Sequence, residues 1–358
     1  SPRLPPKKVG EAMTWEGYLE RLNNGLDLEP DEISQVMEKI LLGQAEIAEV
    51  KEFLLALKAK GETAEEVGAL VEQMFHHSSA ITIRERAVDT VGTGGDGAHT
   101  INISSTAAIV AAAAGARVVK HGSRAVSSKS GASDFYGALG VAYDLGPEGV
   151  ERTVRELGIG FCFAPVFHPA MKNAAPARRE LGVPTVFNFL GPLANPAKPM
   201  AAAVGVADDR IHLVMAQVMA AKGCDGFVFR GDDGLDEITL DGTTSVLSIG
   251  GDEISSDRID AKDFGLDNAP ISAVVGGDGA ENAAIARRIL AGERGAPRDI
   301  VLLNTAVTIA AFDGELDLTL HERIEKSLPR AIDAIDSGKA SALLERWAVL
   351  STEISSAR

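Results

Sequence analysis

Cysteine is nearly absent: Cys162 and Cys224 are the only two in 358 residues. Two thiols are too few for a disulfide framework or a Cys-based zinc site and suit a reducing compartment, so the expected location is the cytoplasm. Positive charge is also scarce. Against 51 Asp and Glu stand 35 Lys and Arg, a formal net charge of -16, which argues against general nucleic-acid binding. Long apolar runs are missing too. "AAIVAAAAGA" falls short of the roughly 20 residues a membrane helix needs and is followed at once by Arg117, so no membrane span is expected. The amino-terminal "SPRLPPKKVGEA" lacks the apolar centre of a signal peptide, and residues 1–14 read as a loose tail. Internal repeats and low-complexity segments are absent as well.

What is present is the balance of a globular protein, 45% hydrophobic and 24% charged. From Trp15 to about Ile83 apolar residues recur at helical spacing, as in "EISQVMEKILLG", where Ile33, Val36, Met37, Ile40 and Leu41 share one face. Pro30-Asp31 and Thr63 read as helix starts, Gly43 and Gly61 as stops. From Arg86 the texture changes. "AVDTV", "RVVKHG", "TVFNFLG", "GFVFRG" and "SVLSIGG" read as strands, alternating with helical stretches such as "DDRIHLVMAQVMAAKG" and "GAENAAIARRILAG". The fold class is therefore α/β: a small all-helical domain over 15–83 and a larger α/β domain over 84–358 with a mainly parallel central sheet. "RIEKSLPRAIDAIDSGKASALLERWAVL" reads as a helix pair closing that sheet.

The chemistry concentrates in "DTVGTGGDGAHTINISST", Asp89 to Thr106. A strand, a loop holding Gly92, Gly94, Gly95 and Gly97, and a helix starting at Ser104, Ser105 and Thr106 form the first part of a βαβ unit. Bare glycines let main-chain amides reach anionic oxygens, and the helix start adds free N–H groups and hydroxyls, which makes an anion site. Asp96 can orient a loop amide or meet a ligand hydroxyl. The spacing matches neither the dinucleotide nor the Lys-bearing nucleotide loop. "KHGSRAVSSKSG", Lys120 to Gly131, opens from the next strand on the same edge and sets Lys120, Arg124 and Lys129 among hydroxyls and glycines, so the pair of loops suggests a polyphosphate ligand. In "RGDDGLDEITLDG" the acids Asp232, Asp233, Asp236 and Glu237 form either a plain acidic hairpin turn or solvent-accessible ligands for magnesium bound to substrate phosphates. His76-His77 reads as helix surface with no metal signal.

"VGTGGDG", "NIS", "KHG-R-VSSKSG", "HPAMKNAAPARRELGVPTVFNFLGPLANPA" and "DGLDE", in this order, resemble the anthranilate phosphoribosyltransferases over nearly the whole chain from Trp15. The resemblance implies that 5-phosphoribosyl 1-pyrophosphate (PRPP) is held by Gly92, Gly95, Asp96, Thr100, Asn102, Ile103, Ser104 and Ser105. Lys120, His121, Gly122, Ser123, Arg124, Ala125, Val126, Ser127, Ser128 and Ala132 would complete the donor site. It implies Mg2+, two ions per site, on Ser104, Asp236 and Glu237. Anthranilate would meet Gly92, His121, Ser123, His168, Arg178, Gly191 and Pro192, with Lys120 and Arg178 as the catalytic residues. It further implies a homodimer through the helical domain, which the segment 168–192 joins in space.

Such a transfer passes through an oxocarbenium-like state in which the leaving pyrophosphate gains charge for Lys120, magnesium and amides to stabilise. No strong base is required, because the aromatic amine attacks in neutral form. Arg178 would hold the acceptor carboxylate in a two-pronged pair. His121 and His168 have a second reading, as polar residues that satisfy loop carbonyls. The chain departs from the family pattern at Ser123, where Asn is usual and touches the acceptor, and at Ser105, Ala132 and Ala194. Other readings of the same motifs are a phosphoribosyltransferase for another aromatic amine, a type II pyrimidine nucleoside phosphorylase, and a non-catalytic nucleic-acid-binding relative, which the acidic charge and the intact "DGLDE" oppose.

Overall fold

The computed structural model describes residues 13–125 and 128–358. It begins with four helices, α1 (Trp15–Asn23), α2 (Pro30–Leu41), α3 (Ile47–Lys60) and α4 (Ala64–His76). Of the segment expected as a tail, residues 1–12 lie outside the described residues, while the Thr14 side chain caps α1 by accepting from the Gly17 amide at 3.2 Å. Pro30 opens α2, and Thr63 opens α4 through reciprocal bonds with Glu66 of 3.1 and 2.9 Å. The stripe Ile33, Val36, Met37, Ile40 and Leu41 is buried against α4. Lys60, closing α3, lies 2.6 Å from both Asp27 and Glu66 and ties the bundle's loops together.

The larger part follows as β1 (Val88–Gly92), α5 (Ile103–Ala113), β2 (Val118–Gly122), α6 (Ala132–Ala138), α7 (Pro147–Leu157) and β3 (Ile159–Phe163). After it come α8 (Ala164–Phe167), α9 (Ala175–Leu181), β4 (Ala201–Gly205), α10 (His212–Ala221), β5 (Asp225–Gly231), β6 (Thr243–Gly250) and β7 (Glu253–Asp260). The chain ends in α11 (Gly279–Leu290), α12 (Ala296–Asp313), α13 (Leu320–Asp336) and α14 (Lys339–Ser356). The sheet order is β3-β2-β1-β4-β5-β6-β7. β3 to β5 run parallel, and β6 and β7 are antiparallel additions. The chain steps outward from β1 to β3 and then returns to the other side of β1 for β4. The loops leaving β1 and β4 therefore diverge, which opens a crevice at the carboxyl edge of the sheet.

One sequence reading changes, and two elements appear that the sequence reading did not assign. "TVFNFLG" is two short 3-10 turns, Val186–Asn188 and Gly191–Leu193, instead of a strand. The Asn188 side chain accepts from the Thr185 amide at 2.8 Å and closes the first turn, and Pro192 has no N–H to give a ladder. The alanine-rich β4 was not legible as a strand, since alanine favours helices. It is the middle of the sheet, with Ala201 and Ala203 in one core and Ala202 and Val204 in the other. α12 is buried from Ile300 to Ala311 on every side and so carries no amphipathic pattern.

The segment between β3 and β4 turns back onto the bundle. Asn173 Nδ2 donates to the Leu41 carbonyl at 2.7 Å, Lys58 Nζ to the Pro184 carbonyl at 2.6 Å, and Lys51 pairs with Glu180 at 3.0 Å. Ala174, Ala177, Val186, Phe187 and Leu190 share one core with α1 to α4, and that core continues through α10 to Val91, Val204 and Val228 on the sheet.

Candidate active site

Two glycines without a Cβ decide the geometry of the crevice. A Cβ on Gly92 would stand 2.2 Å from Asp236 Oδ2, and one on Gly205 would stand 1.7 Å from the Asp236 carbonyl oxygen. The "DGLDE" turn therefore lies directly on the ends of β1 and β4. Asp236 and Glu237 are each only 8% exposed, which corrects the expectation of solvent-accessible carboxylates. Asp236 Oδ2 accepts from the Gly94 amide at 2.7 Å, and the Ser104 amide donates to Glu237. Burial, followed by the charge of Asp96, pushes the Asp236 carboxyl well up; burial, followed by Asp236, does the same to Glu237. The other two acids of the motif are structural. Asp232 pairs with Arg258 at 3.1 Å, and Asp233 accepts from the Leu235 amide and the Thr239 hydroxyl at 3.1 and 2.6 Å.

Lys120 reaches the same place from β2. It is 2% exposed, and its Nζ donates to the Thr90 carbonyl at 2.5 Å and to Ser104 Oγ at 3.3 Å. Burial lowers its pKa, opposed by Asp89, Glu237 and Asp236. Three carboxylates, those of Asp96, Asp236 and Glu237, thus bear on a pocket to which Lys120 brings the opposing charge. That excess of hard oxygen donors fits a divalent cation. Among the described residues no group of three His, Cys, Asp or Glu could hold a metal unaided, so an ion here would draw the rest of its shell from substrate or water, the habit of magnesium.

The remaining donor-side candidates have contacts of their own. Asp96 Oδ1 accepts from the Ala98 amide at 3.0 Å, and Thr100 bridges to Val275. No side chain caps α5, because Asn102 is occupied elsewhere. Its Oδ1 accepts from Ser130 Oγ and Asn282 Nδ2, both at 2.8 Å. The side chains of Ile103 and Ser105 are buried, and the Ser105 carbonyl accepts from the Tyr136 hydroxyl at 2.8 Å. In the loop after β2, the Ala125 and Gly131 amides donate to Asp134 Oδ2 at 3.1 and 2.9 Å, and the Ser123 carbonyl accepts from the Ser133 amide at 3.3 Å. The Arg124 guanidinium lies 5.5 Å from the Phe163 ring centre. Ser128 Oγ donates to the Ser130 carbonyl at 3.3 Å, and Gly122 faces Ala132. Val126 and Ser127 lie outside the described residues.

On the acceptor side, His121 Nδ1–H donates to the Gly191 carbonyl at 2.9 Å and His168 Nε2–H to the Ala194 carbonyl at 2.7 Å. Both imidazoles satisfy loop carbonyls, and their rings meet edge-on at 5.2 Å. Among the described residues His121 Nε2 is buried without a partner, while the His168 ring lies against the Met74 carbonyl as well as that of Ala194. Burial, with His168 next in size, pushes the His121 pKa down to about 3, and burial lowers that of His168. The His121 ring is therefore neutral, with Nε2 left as an acceptor. Arg178, on α9, is half-buried with its pKa lowered by burial. No ion pair or hydrogen bond of its guanidinium joins it to the other candidates among the described residues.

Sequence reasoning passed over Asp89, Asn195, Asp134 and Asn282. The signal for Asp89 was available: an acid inside the apolar run "AVDTV" must be paired once that run is buried. The others act through loops that meet only after folding.

Comparison with known proteins bears on the whole chain. The helical bundle domain of a glycosyl transferase family matches residues 16–78, and its a/b domain matches residues 84–341. The anthranilate phosphoribosyltransferase of Saccharopolyspora erythraea is 50% identical over 343 residues, covering 96% of this chain and 97% of the relative. The crystal structure of the Thermus thermophilus anthranilate phosphoribosyltransferase superposes with a TM-score of 0.87 at 38% identity, covering 94% of this chain and 99% of that one. The Saccharomyces cerevisiae enzyme in complex with PRPP and Mg superposes with a TM-score of 0.86 at 28% identity, covering 95% and 98%. With both domains matched in order and half of its residues shared with a named relative across almost its full length, this chain belongs to the anthranilate phosphoribosyltransferases.

Proposed function

We propose that the chain transfers the phosphoribosyl group of PRPP to the amine of anthranilate, giving N-(5-phosphoribosyl)anthranilate and pyrophosphate, in tryptophan biosynthesis. The observation that carries the reading is the convergence of Lys120, Ser104, Asp236 and Glu237 at the crevice between the ends of β1 and β4. As the bond from the anomeric carbon to pyrophosphate breaks, negative charge grows on the leaving oxygens. Lys120, held by Thr90 and Ser104, stands where that charge would grow, and the glycine loop lies beside it, so little reorganisation is needed. Magnesium, on Ser104, Asp236 and Glu237 and numbering two ions per site, would neutralise the pyrophosphate when bound; the yeast relative's complex with PRPP and Mg supports this.

Arg178 binds the acceptor carboxylate, a role supported by a half-buried guanidinium without an ion pair among the described residues. His121 offers a neutral acceptor nitrogen toward the attacking amine, and His168 holds the turn beside it. The helical unit 15–83, joined by 168–192, carries this acceptor side against the α/β unit 84–358. A homodimer through that unit is supported by the exposed apolar Leu42, Ile47, Leu55 and Val183. Placement in the cytoplasm is supported by two unpaired cysteines; among the described residues no helix is long and apolar enough to cross a membrane. The test is loss of anthranilate fluorescence on mixing the protein with PRPP and magnesium. Turnover that survives chelation of magnesium would count against the carboxylate roles, and no turnover at all against the reading.

A further inference from the structure

A buried pair with no role in the scheme above joins the two halves of the site. Asp89, the second residue of β1, is 1% exposed. Its Oδ1 accepts from the His121 amide at 3.3 Å and its Oδ2 from Asn195 Nδ2 at 3.0 Å. Asn195, 4% exposed, gives its other amide proton to the Val119 carbonyl at 2.8 Å, and its Oδ1 accepts from the Ala197 amide at 3.0 Å. Every polar atom of the Asn195 carboxamide is thereby assigned by its partner. Asn195 directly follows the Gly191–Ala194 turn, whose carbonyls take the protons of His121 and His168.

We propose that Asp89 and Asn195 are positioning residues for the acceptor: their hydrogen bond fixes the distance between His121, at the end of β2, and the Gly191–Ala194 turn, and so the width of the slot that receives the aromatic amine. The proposal rests on the acceptor reading given above. Packing alone does not require such a pair, because buried charged or polar partners are commonly replaced by apolar residues of similar volume without loss of stability. A carboxylate bonded to a carboxamide sets direction as well as distance, and here both partners are attached to groups that face the slot.

The test exchanges the two groups. Asn195→Asp sets carboxylate against carboxylate and takes a donor from Val119. Asp89→Asn must turn an NH2 group toward either the His121 amide or the Asn195 NH2, a donor–donor contact. In the double exchange, Asp89→Asn with Asn195→Asp, the new amide accepts from His121 and donates to the new carboxylate, which still accepts from Ala197; the one mismatch left is the Val119 carbonyl, which faces a carboxylate oxygen in place of an amide donor. Each single variant should lower kcat/KM for anthranilate by roughly ten- to a hundred-fold, the usual weight of a hydrogen bond to a charged group. Asp89 also supports the charge of Lys120, so the KM for PRPP should move as well, but by clearly less than kcat/KM for anthranilate. The double exchange should recover most of the loss. Thermal melting shows which variants fold, and should Asn195→Asp not fold, Asp89→Asn and the exchange carry the comparison. Equal losses toward both substrates, or singles that leave anthranilate kinetics untouched in an active wild-type background, overturn the positioning role. An inactive wild type overturns the acceptor reading and the proposal with it.

Discussion

Gly92→Ala isolates the demand that the metal-side carboxylate makes on the backbone. The added Cβ would stand 2.2 Å from Asp236 Oδ2 and 2.9 Å from its Cγ. Nonbonded heavy atoms settle near about 3.5 Å, so the carboxylate must withdraw by roughly 1 Å, a misplacement that by itself can cost about a hundred-fold in rate. The move also breaks the bond from the Gly94 amide, 2.7 Å long in the wild type. A hydrogen bond to a charged acceptor contributes about 1.5–3 kcal/mol, which is roughly ten- to a hundred-fold in an equilibrium constant. The expected variant turns over roughly a hundred-fold more slowly and needs roughly ten-fold more magnesium for half-maximal rate. Its melting temperature should change little, because residue 92 is not among the glycines with positive φ, and the displaced carboxylate is one whose charged form burial already penalises. The assay is anthranilate fluorescence loss across a magnesium titration, run beside thermal melts. Wild-type turnover with an unmoved magnesium midpoint would refute the reasoning, because it would mean that Asp236 tolerates displacement and is no ligand.

Asp236→Asn with Glu237→Gln should abolish magnesium-dependent turnover, yet the metal-free variant should melt at or above the wild-type temperature, since burial and mutual repulsion oppose both charges; a lower melting temperature would show the carboxylates to be structural. Arg178→Ala should raise the anthranilate KM roughly ten-fold or more while moving the PRPP KM much less, and equal effects on both would place Arg178 elsewhere. Ser123→Asn should improve kcat/KM for anthranilate roughly two- to ten-fold by adding about one neutral hydrogen bond, whereas a loss of activity in a stable variant would remove residue 123 from the acceptor's contacts. The His121 imidazole stays neutral down to about pH 3, against 6.5 for the free side chain. The unfolded chain therefore binds a proton there that the folded chain refuses. Stability should fall as pH drops from about 6.5 toward about 3, by up to about 1.4 kcal/mol per pH unit from this group. Urea melts of His121→Asn should show a shallower acid slope, and identical slopes would discard the assignment.

The elements that satisfy their own backbone within a few residues were legible from the chain. α2 and α4 carry their starts and their apolar stripes in sequence, and "AVDTV", "RVVKHG" and "GFVFRG" are bounded by the glycines that let loops leave the sheet. The anion loop and the acids of "DGLDE" were visible for the same reason, since their chemistry lies in residue type and spacing. Where burial is complete the pattern vanished. α12 is buried on all faces, and β4 is alanine-rich with its residues divided between two cores. "TVFNFLG" misled because apolar content does not distinguish a strand from turns buried against a helical bundle.

By itself the sequence determined which residues carry charge, hydroxyls and bare backbone, and in what order, and so the class of fold and the family. Which of four neighbouring acids face the crevice was decided only by the tertiary structure. Asp232 and Asp233 turn into the hairpin, while Asp236 and Glu237 press onto strand ends that lack a Cβ. The neutrality of His121 and the bond from Asn195 to Asp89 were likewise set by folding, because desolvation and long-range hydrogen bonds exist only once distant segments exclude water together.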